Sequence, residues 1–118
     1  MNKLYHLSTC STCARIVKEL NLSPDFPQQD IKTEAISEAQ LDKMAALSGS
    51  YESLFSRRAM KYKELGLKNQ NLSEEDYKNY ILKEYTFLKR PVLILGKKIF
   101  VGNSKKVVAS AILELQAK

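Results

Sequence analysis

The stretch Asn2-Lys3-Leu4-Tyr5-His6-Leu7-Ser8-Thr9-Cys10-Ser11-Thr12-Cys13 decides how this chain reads. Asn2 to Leu7 reads as a short strand that runs straight into Ser8-Thr9-Cys10. From Ser11 the period becomes helical: Ile16, Val17 and Leu20 recur on one face, with Arg15, Lys18 and Glu19 between them. Asn21 and Pro24 end that helix. The cysteines therefore stand where a strand hands over to a helix. The reactive species in thiol chemistry is the thiolate, and the free N–H groups and positive end of a helix stabilise it. Cys10 falls near the N-cap, so its pKa is expected to fall. Cys13 follows in the first turn on the same side, where it can attack a sulfur adduct on Cys10 and close a disulfide with it.

Working outward, Phe26 to Ile31 is expected to be a second strand, with Pro27 confining it to an edge or a strand start. Ser37-Glu38-Ala39-Gln40 reads as a capping box that opens a helix. Leu41, Met44, Ala45 and Leu47 form its apolar face, and Gly49 closes it. A short helical piece is expected around Tyr51 to Phe55, and another from Arg58 to Leu65, stopped by Gly66. Ser73-Glu74-Glu75-Asp76 starts a further helix with acidic residues in its first turn. Its apolar face is expected to hold Tyr77, Tyr80, Ile81 and Tyr85. The period then changes to a strand run, Pro91 to Leu95. A turn at Gly96-Lys97 leads to a second strand, Lys98 to Val101. Gly102-Asn103-Ser104 breaks the pattern before a last helix over Lys105 to Leu115, with Val107, Val108, Ala111, Ile112 and Leu115 inward.

This order is strand, helix, strand, several helices, hairpin, helix. A βαβ start with a ββα finish is the thioredoxin-like plan: an α/β fold on a mixed four-stranded sheet. The whole chain, residues 1–118, reads as one domain, with a helical insertion at about residues 37–86 between its halves.

Composition narrows the function. No apolar run approaches the roughly 20 residues of a membrane helix. The N-terminus lacks the basic start and apolar stretch of a signal peptide, so a cytoplasmic protein with no membrane partner is expected. Two close cysteines in such a chain point to redox or metal chemistry. Zinc needs four ligands, and Cys10, Cys13 and His6, the single histidine, supply at most three, so no metal is expected. The net charge of +6 reads as a lysine-rich solvated surface that admits anionic substrates or acidic partners. The basic residues are scattered and match no nucleic-acid motif, so direct nucleic-acid binding is not expected.

The chain resembles a family at four places. Tyr5-His6 followed by Cys10 resembles the opening of the glutaredoxin-linked arsenate reductases and their Spx-type relatives. Arg57-Arg58 followed by Tyr62-Lys63-Glu64-Leu65 resembles their mid-chain arginine segment. Lys89-Arg90-Pro91-Val92 resembles their Arg-Pro step, and Phe100-Val101-Gly102 followed by Ser104 their closing segment. The resemblance implies a thioredoxin-like fold, a catalytic cysteine at Cys10 and an anion site completed by Arg58, Arg57 and Arg90. It also implies a cis-proline at Pro91 that faces the cysteine. Arginine suits an oxyanion because its planar donors grip two oxygens at once, and His6 is placed to help set the charge state of Cys10. The chain departs from the pattern too. Leu7 and Ser8 stand where such reductases usually have asparagine and proline, and Ala14 stands where they carry an arginine. No arginine lies between Gly102 and Lys106, where one is usual. The CxxC spacing is more like the Spx-type switch, although Ala14 again replaces an arginine usual there.

The expected function is a thiol-dependent oxidoreductase that acts on a small oxyanion or a thiol substrate. Cys10 would be the nucleophile, and Cys13 or an external thiol the resolving group. No bound cofactor is expected. Glutathione with glutaredoxin is the expected electron donor, and glutaredoxin or thioredoxin a protein partner. The alternative is a redox-sensing regulator that binds RNA polymerase, with the cysteine pair as its switch.

Overall fold

A computed structural model describes residues 2–117. It divides into two compact units. One is built from the chain up to Ala35 and from Arg90 onward, the other from Ile36–Lys89.

The first unit holds strands β1 (Asn2–His6) and β2 (Gln28–Asp30) with helix α1 (Ser11–Leu20) between them, then β3 (Val92–Leu95), β4 (Lys98–Val101) and a last helix, Lys105–Gln116. The four strands form one sheet in the order β2-β1-β3-β4. β1 runs parallel to β2 and antiparallel to β3, and β3 is antiparallel to β4. The parallel pair needs a crossover, which α1 supplies; the antiparallel pair needs only the Gly96-Lys97 turn. All four residues of β3 are buried, which explains its unbroken apolar run. Leu4 pairs opposite Leu93, so by strand alternation both share a sheet face with Leu95. That face packs with Ile16 and Leu20 of α1 and with Val108 and Ala111 of the last helix. Fully burying one such side chain contributes roughly 1.5–3 kcal/mol, so this layer holds α1 and the last helix on the sheet. The architecture is the expected thioredoxin-like α/β plan.

The second strand is shorter than expected. Pro27 has no N–H to give, and its carbonyl accepts from Leu4 N at 2.9 Å, so the ladder proper starts at Gln28. The strand lies at the sheet edge, as the proline required.

The second unit carries α2 (Glu38–Ser48), α3 (Met60–Glu64) and α4 (Glu74–Lys83), joined by short 3-10 turns; the last helix of the first unit is then α5. The capping box expected at Ser37 forms, and the helix start expected at Ser73 is capped in the same way. Ser37 Oγ accepts from Gln40 N at 3.1 Å, and Gln40 Oε1 accepts from Ser37 N at 3.1 Å. Ser73 and Asp76 make the same reciprocal pair at 3.2 and 2.9 Å. Phe55 organises the core here: its ring stacks on Phe87 at 5.0 Å and meets Tyr77 edge-on at 4.9 Å.

Two expectations fail in this unit. The helix expected over Arg58 to Leu65 is cut to Met60–Glu64, because Ala59 is extended and offers no capping side chain, leaving Arg57 and Arg58 in a turn. Tyr85 is not on α4: Glu84 turns extended and ends that helix first.

Candidate active site

β1 ends at His6, and the chain then turns through Leu7, Ser8, Thr9 and Cys10. Cys10 N–H donates to the Leu7 carbonyl at 3.0 Å and closes that turn. Cys10 is the N-cap of α1, extended at φ −96° and ψ 114°, and its own carbonyl accepts from Ala14 N at 3.0 Å. Its side chain makes no capping hydrogen bond, and no acidic residue stands in the first turn of α1. The positive end of this helix is thus left to the Cys10 sulfur.

Both cysteines are free thiols in unlike surroundings. Cys10 is partly exposed, whereas Cys13 is 1% exposed. Partial burial pushes the Cys10 thiol up. The Cys13 backbone N–H and thiol, the Arg90 charge and the Thr12 N–H together outweigh that, so its pKa lies below the ordinary value. Burial dominates at Cys13 and pushes it up to about 11, against help from the Leu7 backbone; the Cys10 charge adds to the rise. At neutral pH the pair is therefore an activated outer sulfur over a protonated inner one.

Arg90 is half-buried just before β3, and its charge acts on both sulfurs. The Arg90–Pro91 peptide is cis, as the resemblance implied. Pro91 is buried, and its carbonyl accepts from Gly102 N at 3.0 Å, where Gly102 takes φ +94° to leave β4. His6 is half-buried and paired in register with Asp30 of β2.

The first unit thus gathers Cys10, Cys13 and Arg90. Arg57 and Arg58 belong to the second unit and differ from each other. Arg57 Nη2 reaches Glu52 Oε2 at 2.8 Å and Tyr77 OH at 3.1 Å, so its donors are engaged there. Arg58 is exposed, and its backbone N–H donates to Ser56 Oγ at 3.3 Å. Among the described residues no group of three or more His, Cys, Asp or Glu could hold a metal, and no helix is long and apolar enough to cross a membrane.

Sequence reasoning missed Asp30. It sits at the C-terminal end of β2, and its Oδ1 accepts from Ser8 N and from Lys32 N, each at 3.2 Å. The only sequence signal was an acidic residue at a strand end, which many loops share.

A thioredoxin-like unit with a free thiol at the first helix cap is the frame of the thiol-dependent oxidoreductases. Within that class the chain belongs to the ArsC family, whose model matches residues 5–111. Solved structures agree. An arsenate reductase from Vibrio cholerae is 17% identical with a TM-score of 0.75, covering 97% of this chain and 96% of its own. An arsenate reductase (ArsC) related protein from Brucella melitensis is 23% identical with a TM-score of 0.68, covering 92% of each chain. A possible arsenate reductase from Streptococcus mutans is 28% identical with a TM-score of 0.71, covering 89% of this chain and 92% of its own. No curated protein matches the chain.

Proposed function

We propose that this chain reduces a small oxyanion or a disulfide through Cys10, with Cys13 or an external thiol resolving the adduct. The observation that carries the reading is the split between the sulfurs: a partly exposed thiol of lowered pKa over a buried one held near 11. With arsenate, the Cys10 thiolate would form an S–As bond as a protonated oxygen leaves as water. A second thiolate would attack the Cys10 sulfur and form a disulfide. The S–As electron pair would leave with arsenic, taking it from the +5 to the +3 state. Where Cys13 resolves, two glutathione equivalents delivered with glutaredoxin would reduce the Cys10–Cys13 disulfide; where glutathione resolves, one more would free Cys10.

The split suits such a sequence. The Cys10 negative charge helps keep Cys13 protonated, so the inner thiol stays out of the first attack. Capture of Cys10 in an adduct removes that charge and eases ionisation of Cys13 at the moment it is needed. Arg90 supplies positive charge beside both sulfurs and is the arginine we assign to the developing negative charge. Arg58, and after it Arg57, are assigned to the anion by the family resemblance.

The test is coupled NADPH oxidation with arsenate, glutathione and glutaredoxin. Turnover that Cys10→Ser abolishes supports the reading; a wild-type Cys10 that alkylates with an ordinary thiol pKa overturns it. The free CxxC pair also favours a second reading, a redox regulator. Its test is a pull-down of RNA polymerase that succeeds in only one redox state, with no turnover in the coupled assay.

A further inference from the structure

We infer that Asp30 is a positioning residue for Cys10, acting through the backbone of Ser8. The inference deepens the reading of Cys10 as nucleophile and rests on it. The C-terminal ends of the parallel strands β1 and β2 lie side by side, with His6 opposite Asp30 and Ile31 N–H donating to the His6 carbonyl at 2.9 Å. From there Asp30 Oδ1 reaches across to Ser8 N–H at 3.2 Å, spanning 22 residues of sequence, and also takes Lys32 N–H at 3.2 Å. Ser8 is the second residue of the turn that the Cys10 N–H closes onto Leu7.

That turn serves both sulfurs. Its last residue is the Cys10 N-cap, and its first supplies the backbone that meets the Cys13 thiol. One carboxylate oxygen therefore anchors the segment that aims Cys10 at the end of α1. Leu7-Ser8-Thr9 contains no proline to fix the turn. Ser8 can play this part because it keeps a backbone N–H, which a proline at the same position would lack.

Charge and tether predict opposite signs. Removing a nearby carboxylate eases ionisation of a thiol by electrostatics alone. Losing the anchor lets the sulfur leave the helix end and makes ionisation harder. The charged and titratable groups around the two residues are Arg90 and Cys13 at Cys10, and His6 and Lys32 at Asp30.

The experiment is iodoacetamide alkylation of Cys10 across pH, read by peptide mass spectrometry, in Asp30→Ala, Asp30→Asn, Ser8→Pro and Ser8→Pro/Asp30→Ala chains. Asp30→Ala should raise the apparent Cys10 pKa and slow labelling near neutrality by roughly threefold, about what one hydrogen bond supports. Asp30→Asn keeps an acceptor oxygen in place and should stay near wild type. In the Ser8→Pro background both Ser8 donors, hydroxyl and N–H, are gone, so Asp30→Ala leaves only the charge effect and should leave the Cys10 pKa unchanged or slightly lower. The inference is overturned if Asp30→Ala leaves the pKa unchanged or lowers it, or if its effect is as large with Ser8→Pro as without. Should Asp30→Ala not fold, Asp30→Ser shortens the side chain out of reach of Ser8 N–H and reads the same link: a raised Cys10 pKa supports the inference, and an unchanged or lower one overturns it. An ordinary pKa in the wild type would instead sink the functional reading itself.

Discussion

α1 and α4 are both ten-residue helices, and they begin in opposite ways. α4 opens with a reciprocal Ser73–Asp76 cap and three acidic side chains in its first turn. α1 opens with Cys10, no side-chain cap bond and no acidic residue. The α4 start follows every local rule for stability, whereas α1 breaks those rules. Its uncovered N–H groups and positive end favour an anion, here the Cys10 thiolate. The same end cannot be both closed for stability and open for chemistry.

The sharpest way to break this contrast is to give α1 the cap it lacks. Cys10→Ser should take turnover in the coupled assay to background, because the nucleophile is gone. The serine hydroxyl should also cap α1 and raise stability by up to about 1 kcal/mol, read as a higher melting temperature below neutral pH. Loss of both activity and stability would mean that the α1 start is not simply an uncapped helix.

The next largest effect concerns the inner sulfur. The Cys13 pKa is raised in the folded chain from 9.0 to about 11, so folding favours its protonated form. Its contribution to stability is present in full below pH 9 and is lost as pH climbs through about 11. Cys10 has the opposite sign: its lowered pKa contributes stability above the unfolded value, lost as pH falls through the folded one. Denaturant midpoints for wild type and Cys13→Ala should therefore converge at alkaline pH. Parallel curves would mean that Cys13 is not buried as a thiol.

Two smaller tests fall on the helices themselves. Ser73→Ala removes the α4 cap and should cost about 1 kcal/mol with no change in Cys10 alkylation. Glu19→Gln breaks the Arg15–Glu19 pair along α1, where both side chains are exposed, and should cost under about 0.5 kcal/mol, shrinking with added salt. A larger loss from Glu19→Gln would mean that α1 depends on its flank more than on its buried face.

How much of this was legible follows from range. The capping box at Ser37, the acidic helix start at Ser73, the Gly49 stop and the β3–β4 turn all came from residues within four of one another, where local chemistry decides. The helix expected from Arg58 starts only at Met60, because Ala59 is extended, which no local pattern announces. Tyr85 carried the right spacing for α4, yet the chain had already left the helix at Glu84. Asp30 had no pattern at all, since its partner stands 22 residues away.

The sequence by itself determined the alternation of strand and helix, the hairpin near the end, and the placing of Cys10 and Cys13 where β1 hands over to α1. Each depends on a period of two or 3.6 residues, or on a cap, turn or break, and these act over a few neighbours. Only the tertiary structure decided that β1 lies between β2 and β3, and that Cys10 faces out while Cys13 is sealed in. It alone brought the Arg90 charge to the pair and set Asp30 on the turn before it. Burial and long-range charge are properties of the assembled sheet, and no stretch of chain carries them alone. Two cysteines that are chemically identical in the sequence become an activated outer thiol and a buried, protonated inner one only when α1 is packed on that sheet.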